Sequence, residues 1–231
     1  MATYMKIFDI IRDIFAKENS INASEFSFNS TGACPNCNGA GIIRMDMHFL
    51  GDVKQICDSC NGKRYKKEVL QYLYNGKNIN DILEMTVGEA LNFFDNDEIK
   101  KCLEILIKVG LSYLKLGQSL DTLSGGEIQR INMSKYLVKK GNIYIFDEPT
   151  QGLHLRDIEL LKNIMREIIN NGNTVIVIEH NLDFIIDTDY IIDLGPDAGK
   201  DGGKIVYEGY LKDIVDANTY TALAIKRYLN N

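Results

Sequence analysis

The chain has 231 residues, of which 45% are hydrophobic, and a formal net charge of −6 at pH 7. This length predicts one large domain, or one domain with a small module, and the apolar content is ample for a folded core. The acidic balance excludes a surface that is basic throughout, so any contact with nucleic acid has to be a local patch. The sequence has no apolar run that predicts a membrane span and no signal-peptide pattern at its start, and we expect a cytoplasmic protein.

The first predicted element is an amphipathic helix over residues 4–17, whose apolar residues recur on one side. Residues 18–33 are small and polar, which predicts a connector. We interpret residues 1–30 as a packing helix with its connector and assign no chemistry to them.

Four cysteines come next, in the pattern C-x₂-C-x₁₉-C-x₂-C: Cys34, Cys37, Cys57 and Cys60. The spacing is typical of a structural zinc site, because two intervening residues let both sulfurs of a pair reach one ion from a tight turn. Between the pairs, apolar residues alternate with polar ones over 43–49 and Gly51 follows, so we predict a zinc-clipped β-hairpin. Free or disulfide-bonded cysteines are the alternative, which a reducing cytoplasm disfavours.

We assign residues 31–68 to this zinc module, and its charge differs from that of the whole chain. It holds six basic and four acidic side chains. A mildly basic hairpin could contact a phosphate backbone, although a solvated hairpin without a ligand fits the charge equally well. His48, within the hairpin, is interpreted as a surface or structural residue and not as a metal ligand.

Residues 69–140 predict a helical subdomain. Thr86 and Glu89 form a capping box that begins one helix, and a second helix extends over residues 97–109. Cys102 lies on the apolar face of the second helix and is interpreted as part of the core.

Three segments between residues 123 and 180 carry the side chains that we interpret as functional. They read Leu123-Ser124-Gly125-Gly126-Glu127-Ile128-Gln129-Arg130, then Ile143-Tyr144-Ile145-Phe146-Asp147-Glu148-Pro149-Thr150, and finally Val177-Ile178-Glu179-His180. In the first segment, Ser124 and Glu127 predict a capping box that opens a helix. Gly125 and Gly126 lack a Cβ, so a ligand could press against the bare amides at the positive end of that helix.

The second and third segments are interpreted as buried strands that end at one edge of a parallel sheet, where ligand sites of α/β proteins lie. Asp147 could hold Mg²⁺ there, and Glu148 could orient or deprotonate an attacking water. His180 would lie at the same edge as both acids. Each segment alone also has an ordinary interpretation, as a cap, a helix entry or a structural histidine, but their order and separation favour the functional one.

The last region, residues 141–231, alternates strands with helices, which favours an α/β fold with a largely parallel sheet covered by helices. After the strand of the second segment, we predict one long helix, a short helix from Leu182 and three further strands. The long helix covers residues 155–169, and the strands cover 174–178, 190–194 and 204–208. The glycine-rich residues 195–203 do not fit a phosphate-binding P-loop, because they lack a glycine followed, after four residues, by Gly-Lys-Ser or Gly-Lys-Thr. We interpret them as a turn between strands.

In this order, the three segments resemble the signature, Walker B and switch-histidine motifs of ATP-binding-cassette (ABC) ATPases. The resemblance implies that Asp147 supports Mg²⁺, that Glu148 handles the hydrolytic water and that His180 senses the γ-phosphate of ATP. It further implies that signature residues contact a nucleotide held by an opposite half of the protein: Ser124, Gly125, Gly126, Glu127 and Gln129. His154, after the second segment, would mediate contact between the halves.

Most ABC ATPases have no cysteine module ahead of the signature, so this module narrows the choice of family. The sequence is similar to the C-terminal part of the UvrA family, the damage-recognition subunits of the bacterial nucleotide-excision-repair excinuclease. The similarity covers nearly the whole chain and includes Phe26-Ser27-Phe28-Asn29, Gly62-Lys63-Arg64-Tyr65, Lys115-Leu116-Gly117-Gln118 and Glu179-His180-Asn181-Leu182. It implies a partial ABC nucleotide-binding domain with an inserted zinc hairpin near DNA, structural Zn²⁺ on the four cysteines, and ATP with Mg²⁺. The implied partners are damaged duplex DNA, a UvrB-like repair protein, and a UvrA-type dimer or the missing N-terminal half.

This sequence departs from the family pattern because it lacks a P-loop. Family members are several times longer and carry a P-loop in each of two halves, whereas no stretch of this sequence supplies one. Without its lysine and its ring of amides, we expect weak nucleotide affinity and negligible hydrolysis by the isolated chain. The absent strands would leave a sheet edge and apolar surface uncovered, and a split gene, a remnant or a truncated chain all fit.

Two further interpretations stay open from the sequence. The first is a stand-alone zinc-dependent module that binds DNA or UvrA without ATPase activity, which the absent P-loop favours. The second and weaker one is a transporter or translation-type ABC protein, against which the cysteine module argues. The retained acids, Ser124 and His180 favour the ATPase portion.

Overall fold

The computed structural model describes residues 1–45, 53–196, 199 and 202–230. The chain divides into two compact units, Met1–Leu123 and Ser124–Asn231. The division falls directly before the predicted signature helix. The domain boundaries that the sequence predicts at residues 30, 68 and 140 stay predictions.

The regular elements of the first unit are mostly helices, as the apolar periodicity predicts. Its helices are α1 (Ile7–Asn19), α2 (Ile79–Glu84), α3 (Val87–Phe93) and α4 (Asp97–Lys108), with short 3₁₀ turns at Ala23–Phe26, Val69–Gln71 and Leu120–Thr122. The capping box predicted for α3 is confirmed. The Thr86 amide donates to the Glu89 carboxylate at 2.8 Å, and the Glu89 amide donates to the Thr86 hydroxyl at 3.2 Å. These bonds satisfy amides that have no partner within the helix.

The core of this unit joins aliphatic residues of α1 and α4 to a cluster of aromatic rings. Phe15, on α1, is fully buried, and its ring centre lies 5.2 Å from that of Phe26 and 5.9 Å from that of Tyr74. Cys102, on α4, is half-buried with its Sγ facing the carbonyl oxygen of Met5 at 3.9 Å. Burial raises the pKa of the Cys102 thiol to about 11. This is the environment expected for a cysteine that fills the core.

The predicted β-hairpin is confirmed for the described residues. Strands β1 (Ile42–Met45) and β2 (Val53–Ile56) pair antiparallel, with Ile42 opposite Ile56. Residues 46–52, which contain His48 and the predicted turn at Gly51, lie outside the described residues. The interpretation of His48 as a surface or structural residue therefore stays a prediction.

The second unit begins with α5 (Gly125–Ser134), β3 (Ile143–Asp147), α6 (Leu155–Asn170) and β4 (Thr174–Ile178). Strands β3 and β4 are parallel, and the register runs from Ile143 opposite Thr174 to Asp147 opposite Ile178. The parallel arrangement predicted for these strands is confirmed. Because α6 connects them, their carboxyl ends meet at one edge, as in other βαβ units.

The interpretation of β3 and β4 as buried strands is wrong, because one face of the pair is exposed and the other is only half-buried. Ile143 and Ile145 are 68% and 67% exposed, and Ile176 and Ile178, beside them on β4, are also exposed. On the opposite face, the rings of Tyr144 and Phe146 pack against a neighbouring tyrosine, Tyr136. A parallel sheet is buried on both faces only where both are covered. Among the described residues, nothing covers the isoleucine face.

The unit continues with α7 (Leu182–Ile185), β5 (Tyr190–Gly195), β6 (Lys204–Tyr210), α8 (Leu211–Ile214) and α9 (Tyr220–Leu229). Strands β5 and β6 are antiparallel, so the parallel order applies to β3 and β4 alone among the described strands. Ile214, Ala222 and Ile225 are buried and form the centre of the packing of α8 and α9. Residues 197, 198, 200 and 201 of the predicted glycine-rich turn lie outside the described residues.

A buried lysine ties α6 to the segment that follows β4. The Lys162 ammonium donates to the carbonyl oxygen of Asp183 at 2.9 Å and to the Asp187 carboxylate at 2.5 Å, and it also pairs with Glu159. Burial alone would lower the pKa of Lys162, but these carboxylates outweigh burial and raise it. A buried ammonium is tolerated only with such partners. In the described part of the chain, no helix is long and apolar enough to span a membrane.

Candidate nucleotide site and cysteine cluster

The four cysteines of the first unit converge, although they lie on two separate turns of the chain. The sulfur atoms of Cys34, Cys37, Cys57 and Cys60 are buried and all lie within 4.8 Å of one another. The sulfurs of Cys37 and Cys60 lie 3.7 Å apart. A tetrahedral zinc with Zn–S bonds of about 2.3 Å requires sulfurs about 3.8 Å apart. The cluster therefore fits a four-coordinate metal of this kind.

Hydrogen bonds to sulfur prepare the cluster for thiolate ligands. The Gly41 amide donates to Cys37 Sγ at 3.2 Å, and the Asn36 side-chain amide donates to Cys57 Sγ at 3.4 Å. The backbone amide of Cys60 is the main reason why the pKa of Cys57 falls to about 6. Burial instead raises the pKa of Cys60. Four thiolates in this buried cluster would need a cation to balance their charge.

Within the first unit, Arg64 and Tyr65 fix the base of the cysteine module to the segment that carries Phe26 and Phe28. The Arg64 guanidinium lies 3.5 Å from the ring centre of Phe28, and its Nε donates to the carbonyl oxygen of Gly39 at 2.8 Å. The Tyr65 hydroxyl is buried and donates to the carbonyl oxygen of Phe26 at 3.1 Å. Because the Cys34 amide bonds to the Arg64 carbonyl oxygen at 2.9 Å, these contacts hold the two cysteine turns side by side.

In the second unit, Ser124 and Glu127 open α5 with the predicted capping box. The Ser124 amide and hydroxyl donate to the Glu127 carboxylate at 2.7 and 2.9 Å, and the Glu127 amide donates back to Ser124 Oγ at 3.3 Å. Glu127 is thus engaged in its own helix terminus, and its prediction as a nucleotide contact stays untested. The capping box fixes the direction of the helix whose positive end we interpret as the ligand site.

The two glycines of the signature differ in their surroundings. A Cβ on Gly125 would meet nothing within 4 Å, so its backbone is open to a ligand. A Cβ on Gly126 would lie 3.0 Å from the carboxyl carbon of Asp157. Asp157, on α6, pairs with the buried guanidinium of Arg130. Gly126 is therefore also required by the packing of α5 on α6.

The carboxyl ends of β3 and β4 bring together the acids and the histidine that the sequence singled out. Asp147 is the last residue of β3, and the Glu148 amide continues the ladder by donating to the Ile178 carbonyl oxygen at 2.9 Å. His180 follows β4, and its Nδ1 lies 3.5 Å from a carboxylate oxygen of Glu148. Both side chains are substantially exposed, which leaves them accessible to a ligand.

The signature helix and the acidic turn are joined within the second unit. The Gln129 side-chain amide donates to the carbonyl oxygen of Pro149, the residue after Glu148. Gln129 was predicted as a nucleotide contact, and in the structure its amide is engaged with this turn. His154 lies at the start of α6 without capping it through its side chain, and its predicted role between halves stays untested.

The sequence analysis gave no role to Glu179, whose carboxylate is a central acceptor at this site. It accepts hydrogen bonds from the backbone amides of Thr150 at 2.8 Å, His180 at 2.9 Å and Asn181 at 3.1 Å. Burial alone would raise the pKa of Glu179, but these residues outweigh burial and lower it. Its position directly before His180, at a strand end, was the available signal. Asp157 and Arg130 were missed for a different reason, because their pairing joins two helices far apart in sequence.

The βαβ unit, the capped glycine-rich helix and the acids beside a histidine are features of the ABC-ATPase fold. The pattern of the family described as "ABC transporter" matches residues 40–151. The chain also belongs to the UvrA family, as the relatives below show.

It is 50% identical to UvrABC system protein A of Malacoplasma penetrans over 98% of this chain, and 47% identical to that of Aquifex aeolicus over 99%. The crystal structure of UvrA2 from Deinococcus radiodurans superposes with a TM-score of 0.88 at 41% identity, over 99% of this chain and 30% of that one. The chain spans about a quarter of the length of the curated relatives it matches (25% and 26%).

Proposed function

We propose that this chain is a portion of a UvrA-type ATPase of nucleotide excision repair and contributes the signature, Walker B and switch-histidine residues to a nucleotide site. The observation that carries the proposal is the 3.5 Å approach of His180 to Glu148 beside Asp147, at the carboxyl edge of a parallel strand pair. Phosphoryl-transfer sites need positioned charges at such an edge.

Each residue has a distinct role in this proposal. Glu148 accepts a hydrogen bond from the attacking water and orients it, and His180 holds Glu148 and reaches the terminal phosphate. Asp147 provides an oxygen ligand for Mg²⁺, which when bound neutralises charge on the phosphates. Ser124 and Gly125 present the capped end of α5 to a nucleotide held elsewhere.

The phosphate cradle comes from a polypeptide segment that carries a P-loop, because this sequence has none. We expect the chain alone to hydrolyse no ATP. Mixed with the part of the Malacoplasma penetrans relative that it does not match, it should restore turnover. Glu148→Gln should abolish that turnover by removing the carboxylate but leave ATP binding intact, which steady-state ATPase and nucleotide-binding assays measure.

Glu167→Gln is the matched control, because Glu167 is exposed on α6 and lies outside the site. It should leave turnover unchanged. ATP hydrolysis by the chain alone that Glu148→Gln abolishes would contradict the proposal. Absence of turnover in the mixture would contradict it equally.

We also propose that the cysteine cluster binds one structural Zn²⁺ and holds its hairpin near DNA. The spacing and burial of the sulfurs support zinc. Support for DNA comes from exposed basic side chains of the module, which suit a phosphate backbone: Arg44, Lys54, Lys63, Lys66 and Lys67. Damaged duplex DNA, a UvrB-like protein and a UvrA-type dimer or N-terminal half are the partners that membership of the family supports.

A further inference from the structure

The turn that follows β3 has an unusual backbone at the residue to which we give the water-orienting role. Glu148 adopts a left-handed conformation, with φ at +43°. For a residue with a Cβ this conformation costs about 1–2 kcal/mol, so neighbouring contacts have to maintain it. The turn closes through the Gln151 amide, which donates to the Glu148 carbonyl oxygen at 3.1 Å.

One side chain links this turn to the loop that carries His180. One oxygen of the Glu179 carboxylate accepts the Thr150 amide, and the other accepts the amides of His180 and Asn181. Thr150 is buried, and Glu179 is half-buried. The carboxylate therefore spans the gap between the ends of β3 and β4, two residues beyond Glu148 on one side and directly before His180 on the other.

We propose that Glu179 is a positioning residue that clamps the Glu148 turn to the His180 loop and thereby sets the approach of the two side chains. The inference deepens the proposed function and rests on it for the roles of Glu148 and His180. The hydrogen bonds of Glu179 go to backbone amides and to the Thr150 hydroxyl, so it acts through the turn and the loop that carry Glu148 and His180.

The chemistry of the clamp requires a carboxylate. Three amides and the Thr150 hydroxyl need four acceptor positions on two oxygens, and an ionised carboxylate offers about four. Glutamine offers a single acceptor oxygen, and because His180 and Asn181 directly follow residue 179 in the chain, we expect this oxygen to keep their amides and to lose Thr150. Aspartate keeps both oxygens but is shorter by one methylene group, and we expect it to keep the local His180 and Asn181 bonds and lose Thr150.

The clamp is tested on the whole chain by amide hydrogen exchange and by NMR of the His180 ring. In Glu179→Gln and Glu179→Asp, the Thr150 amide should exchange about tenfold faster or more, as expected for losing a bond to a charged acceptor. The ring signals of His180 should move in the direction in which Glu148→Gln moves them, because in both cases the Glu148 carboxylate leaves the imidazole.

Glu167→Gln is the control, and the amides of Leu161 and Ile164 on α6 report whether the fold is kept. If the Gln variant fails to fold, the Thr150 exchange rate and the His180 signals of the Asp variant, which keeps the charge, test the proposal. An unchanged Thr150 exchange rate, or unmoved His180 signals, in the folded variant would overturn the proposal.

A second arm separates the clamp from the proposed function. In the assembly that hydrolyses ATP, Glu179→Gln should lower kcat about tenfold with KM unchanged, because it misplaces a reacting group without touching substrate. If that assembly hydrolyses no ATP even with the native chain, the proposed function fails. The exchange and NMR results then still decide whether Glu179 sets the approach of Glu148 and His180.

Discussion

The adjacent glycines of the signature make different demands, which single substitutions can separate. In Gly126→Ala the new Cβ presses on the Asp157 carboxylate, which Arg130 holds in place. We expect a loss of about 1–2 kcal/mol in the free energy of unfolding, measured by chemical denaturation.

Gly125→Ala is the matched control, because a Cβ there meets open space. Alanine should leave stability unchanged or raise it by up to about 1 kcal/mol, through its better helix propensity. Equal effects of the two substitutions on the free energy of unfolding would show that the Asp157 side chain can move away from the new Cβ at no cost. The close contact would then not require glycine at position 126.

Single residues were predictable where their chemistry is local. Ser124 and Glu127 stand three positions apart, so their capping box follows from the sequence, and the spacing of the cysteines predicts in the same way that their sulfurs converge. The clamp by Glu179 was not predictable. It depends on which backbone amides the folding of β3 and β4 brings within reach of one carboxylate, and no spacing in the sequence encodes that.

At the scale of elements, the open edge of β4 gives a sharp prediction. The Thr174 amide bonds to Asn142 and the Glu148 amide to Ile178, so the backbone groups of even-numbered β4 residues face β3. Those of Val175 and Val177 face the other edge, where the described strands provide no partner.

We expect the amides of Val175 and Val177 to exchange at least about tenfold faster than those of Ile176 and Ile178, measured by NMR on the chain alone. The even-numbered residues serve as the internal control, since they lie on the same strand. Equal protection of all four would mean that a further strand pairs with this edge.

The cysteine module gives the second prediction at this scale. Removing zinc with a chelator, or replacing Cys57 by serine, should release the one bound ion. The amide of Cys34, bonded to Arg64, should then lose its protection from exchange, because four closely spaced sulfurs no longer share a cation.

Cys102→Ser is the control, since Cys102 lies on α4 outside the cluster. It should leave the metal content at about one ion per chain. Retention of the ion by the Cys57 variant, measured by atomic emission, would contradict a four-cysteine site.

Element boundaries followed closely from the sequence, because apolar periodicity and caps are local. The helix predicted over residues 155–169 occurs as Leu155–Asn170, and the strand predicted over 174–178 occurs as predicted. The burial of these strands could not be predicted from the sequence. An apolar run such as 143–146 has the same sequence pattern whether or not a second layer packs on it. Whether that layer is present depends on other segments of the protein.

For the whole molecule, the consequence is a contiguous apolar face on an acidic protein. Exposed isoleucines of β3 and β4 lie side by side on this face: Ile143, Ile145, Ile176 and Ile178. Faces of this kind associate. We expect reversible self-association of the isolated chain in sedimentation velocity, and the double substitution Ile145→Ser with Ile176→Ser should weaken it about tenfold or more.

Val138→Ser is the matched control, because Val138 is 65% exposed but lies outside the two strands. It should leave the association unchanged. A strictly monomeric native chain at high concentration would contradict this prediction.

The class and family were predictable from the sequence, because three motifs in a fixed order with a cysteine module are specific. The UvrA relatives and the UvrA2 structure confirm that resemblance. The uncovered edge and apolar surface, expected from the absent P-loop region, match the exposed isoleucines and the open edge of β4. The division of the chain before Ser124 was not foreseen, since it depends on how densely distant segments pack.

The 3.7 Å between the sulfurs of Cys37 and Cys60 also governs how the protein has to be handled. Without an ion, the four sulfurs still lie within 4.8 Å of one another, so dissolved oxygen can oxidise two of the thiols to a disulfide and is itself reduced to peroxide. Cys57, whose pKa lies near 6, supplies the thiolate for this reaction at neutral pH. A preparation purified without reductant would then bind no added zinc until the disulfide is reduced. Its low metal content would be due to oxidation and not to a low affinity for zinc.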